Sequence, residues 1–322
     1  VTRWLVTGAG GMLGRELTGL LAAHGAEVTG FARHDLDITD AAAVAAAIQA
    51  AKPDVVVNCA AWTAVDDAEA HEDAALAVNG HAVAGLAAAC AELGAVLVQV
   101  STDYVFDGTA SSPYPENAVP APRTAYGRTK LAGEQAVLAA LPADGYIVRT
   151  AWLYGAHGPN FVRTMIKLAR SGTSPAVVDD QHGQPTWSAD VARQIHALIA
   201  SGAPAGVYHA TSSGETTWFG LATEVFGLFN AAEPAGGAAP LAPVPTTSDA
   251  YRRAAPRAAY SVLGHDAWAA AGIPPIGHWR DALHKAFPAL LDAMPLNLPR
   301  EPDDSPAAAR VQRQALYDDF LT

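Results

Sequence analysis

The sequence predicts an α/β protein built on a doubly wound parallel sheet, with a smaller C-terminal lobe. Three observations point there. Short apolar runs alternate with amphipathic stretches through the first 150 residues, the order that produces a parallel sheet covered by helices on both faces. A glycine-rich turn, Gly8-Ala9-Gly10-Gly11-Met12-Leu13-Gly14, joins the first apolar run to the first helical one. Beyond Thr150 the pattern loosens, with irregular stretches at 155–159, 174–186 and 231–256.

Element by element, the sequence predicts strands at 3–6, 26–30, 54–58, 95–101 and 146–150, and helices at 12–24, 41–51, 72–93 and from near Tyr126. Asp40 is the expected N-cap of the second helix, and Lys52-Pro53 closes it. The Pro-, Ala- and Gly-rich stretch 232–245 reads as a loop or linker. The segment 295–306 is similar and precedes a helix expected over 307–320, capped by Ser305. Residues 1–150 are therefore expected to form a nucleotide-binding domain to which later segments return. Residues 151–294 form mainly a substrate lobe, and 295–322 an extension with no assignable role.

Composition narrows the class. A chain of 322 residues can bury a sizeable core. Half of the residues are hydrophobic and 16% are charged, yet no run approaches the roughly 18 uninterrupted apolar residues of a membrane span. Val1-Thr2-Arg3 leads straight into an apolar strand without a leader pattern, so the expectation is a cytoplasmic protein with no membrane partner. A net charge of −12 argues against nonspecific nucleic-acid binding, which needs clustered Lys and Arg. Cys59 and Cys90 are too few and too far apart for a disulfide framework or zinc knuckle, and each sits in an apolar stretch that suits packing.

Gly8, Gly11 and Gly14 have GxxGxxG spacing. With 28 glycines in the chain the spacing alone is weak evidence; its place between a strand and a helix carries the weight. Glycine there allows a tight turn and lets backbone approach a pyrophosphate, whose charge meets free N–H groups at the helix N-terminus, the first turn of which holds Met12 and Leu13. This is the cofactor loop of a Rossmann-type fold. An NAD-selective site usually ends its second strand with a carboxylate for the ribose hydroxyls. Here the segment reads Gly30-Phe31-Ala32-Arg33-His34, and the Arg33 fork suits a 2′-phosphate. NADPH is the favoured cofactor, with NADH left open.

Tyr126-Gly127-Arg128-Thr129-Lys130 places a phenol and an ammonium four residues apart, on one face of a helix. A free phenol titrates near pH 10, and the expectation is that the neighbouring cation lowers that value. Thr102, at the carboxyl end of the fourth strand, would face the same cleft and orient a carbonyl oxygen. Tyr126, Lys130 and Thr102 are the candidate catalytic residues.

These features resemble the extended short-chain dehydrogenase/reductase superfamily. Further stretches are similar to the dTDP-4-dehydrorhamnose reductases: 35–39 (DLDIT), 58–66 (NCAAWTAVD), 101–106 (STDYVF), 149–155 (RTAWLYG) and 180–186 (DQHGQPT), in order across about residues 3 to 290. The resemblance implies NADPH-dependent reduction of the C4 keto group of dTDP-4-dehydro-β-L-rhamnose to dTDP-L-rhamnose. It places Asp37 and Ile38 near the adenine, Ala60 and Ala61 along the nicotinamide, and Lys130 on the nicotinamide ribose. Thr63, Val65, Thr102, Asp103, Tyr104 and Trp152 would surround the sugar, with Arg257 near its diphosphate. A homodimer belongs to the same expectation.

Members of that family have been linked to Mg²⁺ through acidic residues. Glu16 falls at one such position but no full ligand set is legible, so no metal is predicted. The chain departs from the family in having Ala258 after Arg257, where proline is common, and Tyr260 where a small polar residue is usual. Three rival readings stand beside the reductase. A 4,6-dehydratase would need a carboxylate at Tyr104. A reductase of another dTDP-4-keto-6-deoxyhexose from an antibiotic sugar pathway would share every motif. A noncatalytic NADP-binding regulatory subunit would be expected to have lost Tyr126, Lys130 or Thr102.

Overall fold

The computed structural model describes residues 1–234 and 240–294; the helix expected over 307–320 lies outside them. In chain order the first half runs β1 (Arg3–Thr7), α1 (Met12–Ala23), β2 (Glu27–Phe31), α2 (Ala41–Ala51), β3 (Val55–Asn58), α3 (Val65–Ala70), α4 (Glu72–Leu76), α5 (Ala82–Leu93), β4 (Val96–Thr102), α6 (Ala125–Ala140) and β5 (Gly145–Thr150). The second half has β6 (Leu153–Tyr154), α7 (Phe161–Arg170), β7 (Ala176–Val178), β8 (His182–Gly183), β9 (Thr186–Trp187) and α8 (Ser188–Ala200). It continues through β10 (Gly206–His209), β11 (Thr216–Thr217), α9 (Trp218–Ala232), β12 (Val244–Thr246), α10 (Asp266–Ala270) and α11 (Trp279–Asp292).

Six strands form one parallel sheet in the order β2-β1-β3-β4-β5-β10. The period-two alternation of side chains builds two cores from the same strands. Trp4, Val6, Val57, Val98 and Val148 point to the face covered by α1 and α8, where Leu17, Leu21, Ile195 and Trp268 meet them. Leu5, Val56, Leu97 and Ile147 point to the other face, against Val44, Ile48, Leu86 and Cys90 of α2 and α5. Both cysteines are free thiols. A further core joins α7, α9 and α11 through Met165, Phe226, Leu283 and Phe287.

The five strands and four helices expected in the first half are present within a residue or two of their expected ends, and Asp40 does cap α2 by accepting from Ala43 N–H. Two differences matter. The helix expected over 72–93 contains a π-helical turn, Ala77–His81, between α4 and α5. The stretches expected to be irregular, 174–186 and 231–256, contain the short strands β7, β8 and β12: β7 pairs with β12, and β8 with β11, each across a long sequence separation. The 22-residue helical run Glu72–Leu93 is long and apolar enough to cross a membrane, but half of its most apolar window is buried inside the fold.

Strand order reverses direction between β1 and β3, since the chain moves outward to β2 and then back past β1. In open parallel sheets ligands bind in the crevice beyond the carboxyl ends of the strands at such a point. Register brings Thr7 beside Asn58, and Thr102 beside Thr150, along that edge.

Candidate active site

A cleft of about 1220 Å³ opens over this edge, lined by the loops after β1, β3 and β4, by α6, and by residues from the second half of the chain. Its floor is tied by side chains: Thr7 donates to Asn58 Oδ1, and Asn58 donates to Gln99 at 2.7 Å.

The glycine loop is shaped by close backbone approach. Gly8 adopts φ +66°, and a Cβ there would lie 2.6 Å from the Ala60 nitrogen. Gly8 and Gly11 close the turn by a Gly11 N–H to Gly8 O bond of 2.9 Å, and Gly11 leads into α1 without a side-chain cap. A Cβ on Gly14 would sit 2.2 Å from Gly8 O. Gly14 is buried and does not line the cleft, so its contribution to cofactor binding is to let α1 press against the loop rather than to touch a ligand. Met12, Leu13, Arg33, Asp37, Ile38, Ala60 and Ala61 all line the cleft. Asp37 is held as a carboxylate below its ordinary range by the Thr39 N–H and hydroxyl, with Arg33 adding attraction.

Helix α6, which carries Tyr126 and Lys130, is fixed at its start and along its length. Thr124 caps α6 by accepting from Gly127 N–H at 3.0 Å, and Glu69 accepts from Ala125 N–H at 2.8 Å. Gly127 and Gly133 leave no room for a Cβ, which would lie 2.2 Å from Tyr104 O and Asn79 O respectively. Asn79 sits in the π turn, where its amide brackets Trp62 through that residue's N–H and C=O and also donates to Thr129. The π turn therefore locks α6 to the loop after β3, a connection that plain helical periodicity does not reveal.

Tyr126 and Lys130 both line the cleft, as does Thr102, whose hydroxyl lies close enough to the Tyr126 phenol to influence its titration. Thr102 donates to Asp103 Oδ1 at 2.9 Å and accepts from Tyr104 N–H at 3.2 Å. The Tyr104 ring meets Tyr126 edge to face at 5.5 Å. Lys130 Nζ donates to Val100 O at 2.6 Å. The expectation that Lys130 lowers the phenol is not met: burial pushes the Tyr126 hydroxyl well above its ordinary value, with only the Thr102 hydroxyl opposing it. Burial also brings Lys130 down to about 8, resisted by Glu134 and Cys59. Two groups taken out of water together each favour their neutral form.

On the opposite wall, Trp152 has φ +48°, a backbone region that bulky residues rarely occupy. Its ring stacks on Trp218 at 3.6 Å and lies so close over Gly183 that a Cβ there would sit 2.5 Å from the indole. Arg257 lines the cleft but is committed to Asp66 at 2.6 Å and to Ala255 O at 2.9 Å; only its buried Nε lacks a partner. Thr63, Val65, Asp103 and Tyr104 line the same chamber. Seven buried side-chain polar atoms have no partner among the described residues, and five of them belong to cleft residues: Trp62, Ser101, Thr150, Tyr154 and Arg257. Polar atoms left in this way at one cleft fit a polar ligand. The glycine cradle beside them has the close backbone approach that a dinucleotide requires.

A family model described as RmlD substrate binding domain matches residues 2–291. The chain is 58% identical over 292 residues to the dTDP-4-dehydrorhamnose reductase of Streptomyces griseus, covering 89% of this chain and 94% of the relative. The chain belongs to the dTDP-4-dehydrorhamnose reductase family. It is also 54% identical over 288 residues to a dTDP-4-keto-6-deoxy-D-glucose reductase of Streptomyces niveus, covering 89% and 97%. A dTDP-4-dehydrorhamnose reductase from Bacillus anthracis, solved in complex with NADP, superposes with a TM-score of 0.83 at 36% identity, covering 89% of this chain and 98% of that one. As in other chains of Rossmann type, the family's site is assembled at the carboxyl edge of the sheet.

Sequence reasoning missed Trp218, Phe161, Gln181, Tyr251, Arg253 and Ser261, all of which line the cleft. Gln181 lies inside the family-like stretch 180–186 but was given no role; the others lie outside every such stretch. Trp218 and Phe161 had one readable signal: each opens an apolar stretch directly after a Thr or Asn suited to cap a helix, as Thr217 and Asn160 do.

Proposed function

We propose that the protein reduces the C4 keto group of a dTDP-4-keto-6-deoxyhexose with NADPH, with dTDP-4-dehydro-β-L-rhamnose as its substrate and dTDP-L-rhamnose as product. The observation that carries this reading is that Tyr126, Thr102 and Lys130 line the same cleft as the glycine cradle. Residues 1–150 supply the cofactor side and 151–294 most of the sugar side.

NADPH, when bound, supplies the hydride. Gly8, Gly11, Met12 and Leu13 would hold its pyrophosphate, Arg33 its 2′-phosphate, Asp37 and Ile38 its adenine side, and Ala60, Ala61 and Lys130 its nicotinamide side. The protein's own part is the proton. As negative charge grows on the C4 oxygen, Tyr126 donates its hydroxyl proton, and a phenol kept neutral by burial is in the required state at neutral pH. Thr102, held by its own bonds to Asp103 and the Tyr104 N–H, stands beside Tyr126 where its hydroxyl would orient the carbonyl oxygen. Trp152 offers the sugar a flat apolar face held rigid by Trp218. Arg257, pinned by Asp66, lines the cleft on the side where the diphosphate would lie.

The 54% identity to a dTDP-4-keto-6-deoxy-D-glucose reductase makes an isomeric 4-keto sugar the second reading, because product stereochemistry depends on sugar orientation in the cleft. The presence of Tyr126, Thr102 and Lys130 favours catalysis over a purely regulatory role. The reading also makes the protein cytoplasmic and free of nucleic-acid or membrane partners, and sedimentation would read out a homodimer. In the deciding experiment, purified protein is incubated with NADPH and enzymatically generated dTDP-4-dehydro-β-L-rhamnose, then separately with its 4-keto isomers, following nicotinamide absorbance and identifying the sugar formed. Oxidation of NADPH with dTDP-L-rhamnose as product is the expected result. Cofactor binding without turnover of any of these sugars would overturn it in favour of the regulatory reading.

A further inference from the structure

One buried charged cluster lies outside the roles given so far. Glu134, one helical turn beyond Lys130 on α6, is 1% exposed and accepts two hydrogen bonds from Arg149, at 2.9 Å from Nε and 2.7 Å from Nη2. Arg149 sits on β5, in register with Ser101 of β4 on one side and His209 of β10 on the other. Its remaining nitrogen lies 3.3 Å from His209 Nε2, and its guanidinium lies over the Phe106 ring at 5.0 Å. His209 Nδ1 is 3.0 Å from Gly264 O, and burial beside Arg149 pulls its imidazole down to about 3, so it stays neutral. The cluster thus holds one anion and one cation, and the anion stands on the catalytic helix.

A buried ion pair is poor evidence for stability, because desolvation consumes most of the attraction. Its placement here suggests another use. Lys130 is 3% exposed, and among the described residues the hydrogen-bond partner of its Nζ is the Val100 carbonyl. A lysine so placed tends to lose its proton, and a neutral amine would no longer serve as the cation of the site. The carboxylate one turn away on the same helix is placed to oppose that loss.

We infer that Glu134, held by Arg149, is a positioning residue that keeps Lys130 charged and its ammonium directed to the cleft floor. The inference rests on the reductase reading for its catalytic meaning, but not for its physical content. The other groups facing this part of α6 come from several elements. Cys59, after β3, faces Lys130; its thiol is pushed up to about 12 and carries no charge at neutral pH. Asp103 and Tyr104, after β4, face Tyr126. Arg149 and His209 face Glu134 from the sheet. Glu72 pairs with Arg128 at the partly exposed side of the helix, and Glu69 binds the Ala125 N–H. Among these, Glu134 is the anion that acts on Lys130.

The test titrates Lys130 directly. The chain has four lysines, Lys52, Lys130, Lys167 and Lys285, so protein labelled with ¹³C at the lysine Cε gives four NMR signals, and Lys130→Arg assigns one of them. In the wild type that signal should titrate with a midpoint of about 8. In Glu134→Gln the midpoint should fall by about one pH unit. Glu134→Gln leaves Arg149 buried without its partner, so Glu134→Gln/Arg149→Met, which removes both charges, keeps the test decisive if the single variant does not fold. The double variant should also titrate below the wild type. A Lys130 midpoint that stays at the wild-type value in the folded variant overturns the inference. Turnover provides the second readout: the basic limb of the kcat/KM pH profile should move down with the same variants. A wild type that turns over no sugar defeats the reductase reading while leaving the NMR titration interpretable.

Discussion

The two walls of the cleft are made of different materials. The wall we propose for the cofactor is shaped by close backbone approaches at and behind it: Gly8 against Ala60, Gly14 against Gly8, Gly127 against Tyr104, each so close that a Cβ would fall under 3 Å from its neighbour. The wall we propose for the sugar is made of side chains, with the Trp152 and Trp218 rings stacked at 3.6 Å and Arg257 tied to Asp66. A backbone-built surface accepts almost no variation, because every residue type but glycine collides. A side-chain surface can be rebuilt by substitution without disturbing the sheet. That contrast fits relatives of more than 50% identity that are named for different 4-keto sugars.

The largest expected effect separates chemistry from binding. Tyr126→Phe should lower kcat by about 10³-fold, within the usual range for a lost general acid, with NADPH affinity nearly unchanged. Equal activity in the two proteins would remove Tyr126 from the mechanism. Next, Gly14→Ala should destabilise the fold by about 1–3 kcal/mol, since the added methyl would lie 2.2 Å from Gly8 O, and it should weaken NADPH binding together with stability. Thermal denaturation and cofactor titration of the same sample check both. An unchanged melting temperature would mean that the loop has slack this geometry denies.

On the opposite wall, Trp218→Ala should raise KM about 10-fold while kcat changes little, because it removes the support behind Trp152 and no group that touches the reacting atoms. Were kcat to fall as far as in Tyr126→Phe, the division between the walls would not hold.

The same division decides what the sequence could reveal. The glycine loop spans seven residues and the Tyr126–Lys130 pair five, so strand-to-helix context and helical period are enough to read them. The sugar wall draws on Trp152, Gly183, Trp218 and Arg257, brought together by strands of two residues pairing across the fold. Strands of two or three residues have no period to detect, which is why 174–186 reads as irregular and β7, β8 and β12 do not appear. Resemblance to the family supplied Trp152 and Arg257, but neither resemblance nor period supplied Trp218. The charge logic around Tyr126 was misread for a related reason: spacing shows that two groups share a face but is silent on how deeply both are buried.

The smallest expected effect lies where the walls meet. Asp103, at the end of β4, hydrogen-bonds Thr102 on its own wall and Ser261 on the other, and burial pushes its carboxyl up to about 6. The folded protein therefore holds this proton more tightly than the unfolded chain does. The stability that follows is complete below the ordinary carboxyl value of 3.8 and is lost as pH rises through about 6. A difference of this size is worth on the order of 2–3 kcal/mol, from which the hydrogen bonds that Asn cannot copy must be deducted. Asp103→Asn should consequently gain about 1 kcal/mol of stability relative to the wild type between pH 4 and pH 7.5, read from urea denaturation at each pH. A difference that stays flat across that range would show the carboxylate to be solvated at the seam. A rising one would show that the molecule gives up stability to keep an acidic group between its backbone wall and its side-chain wall.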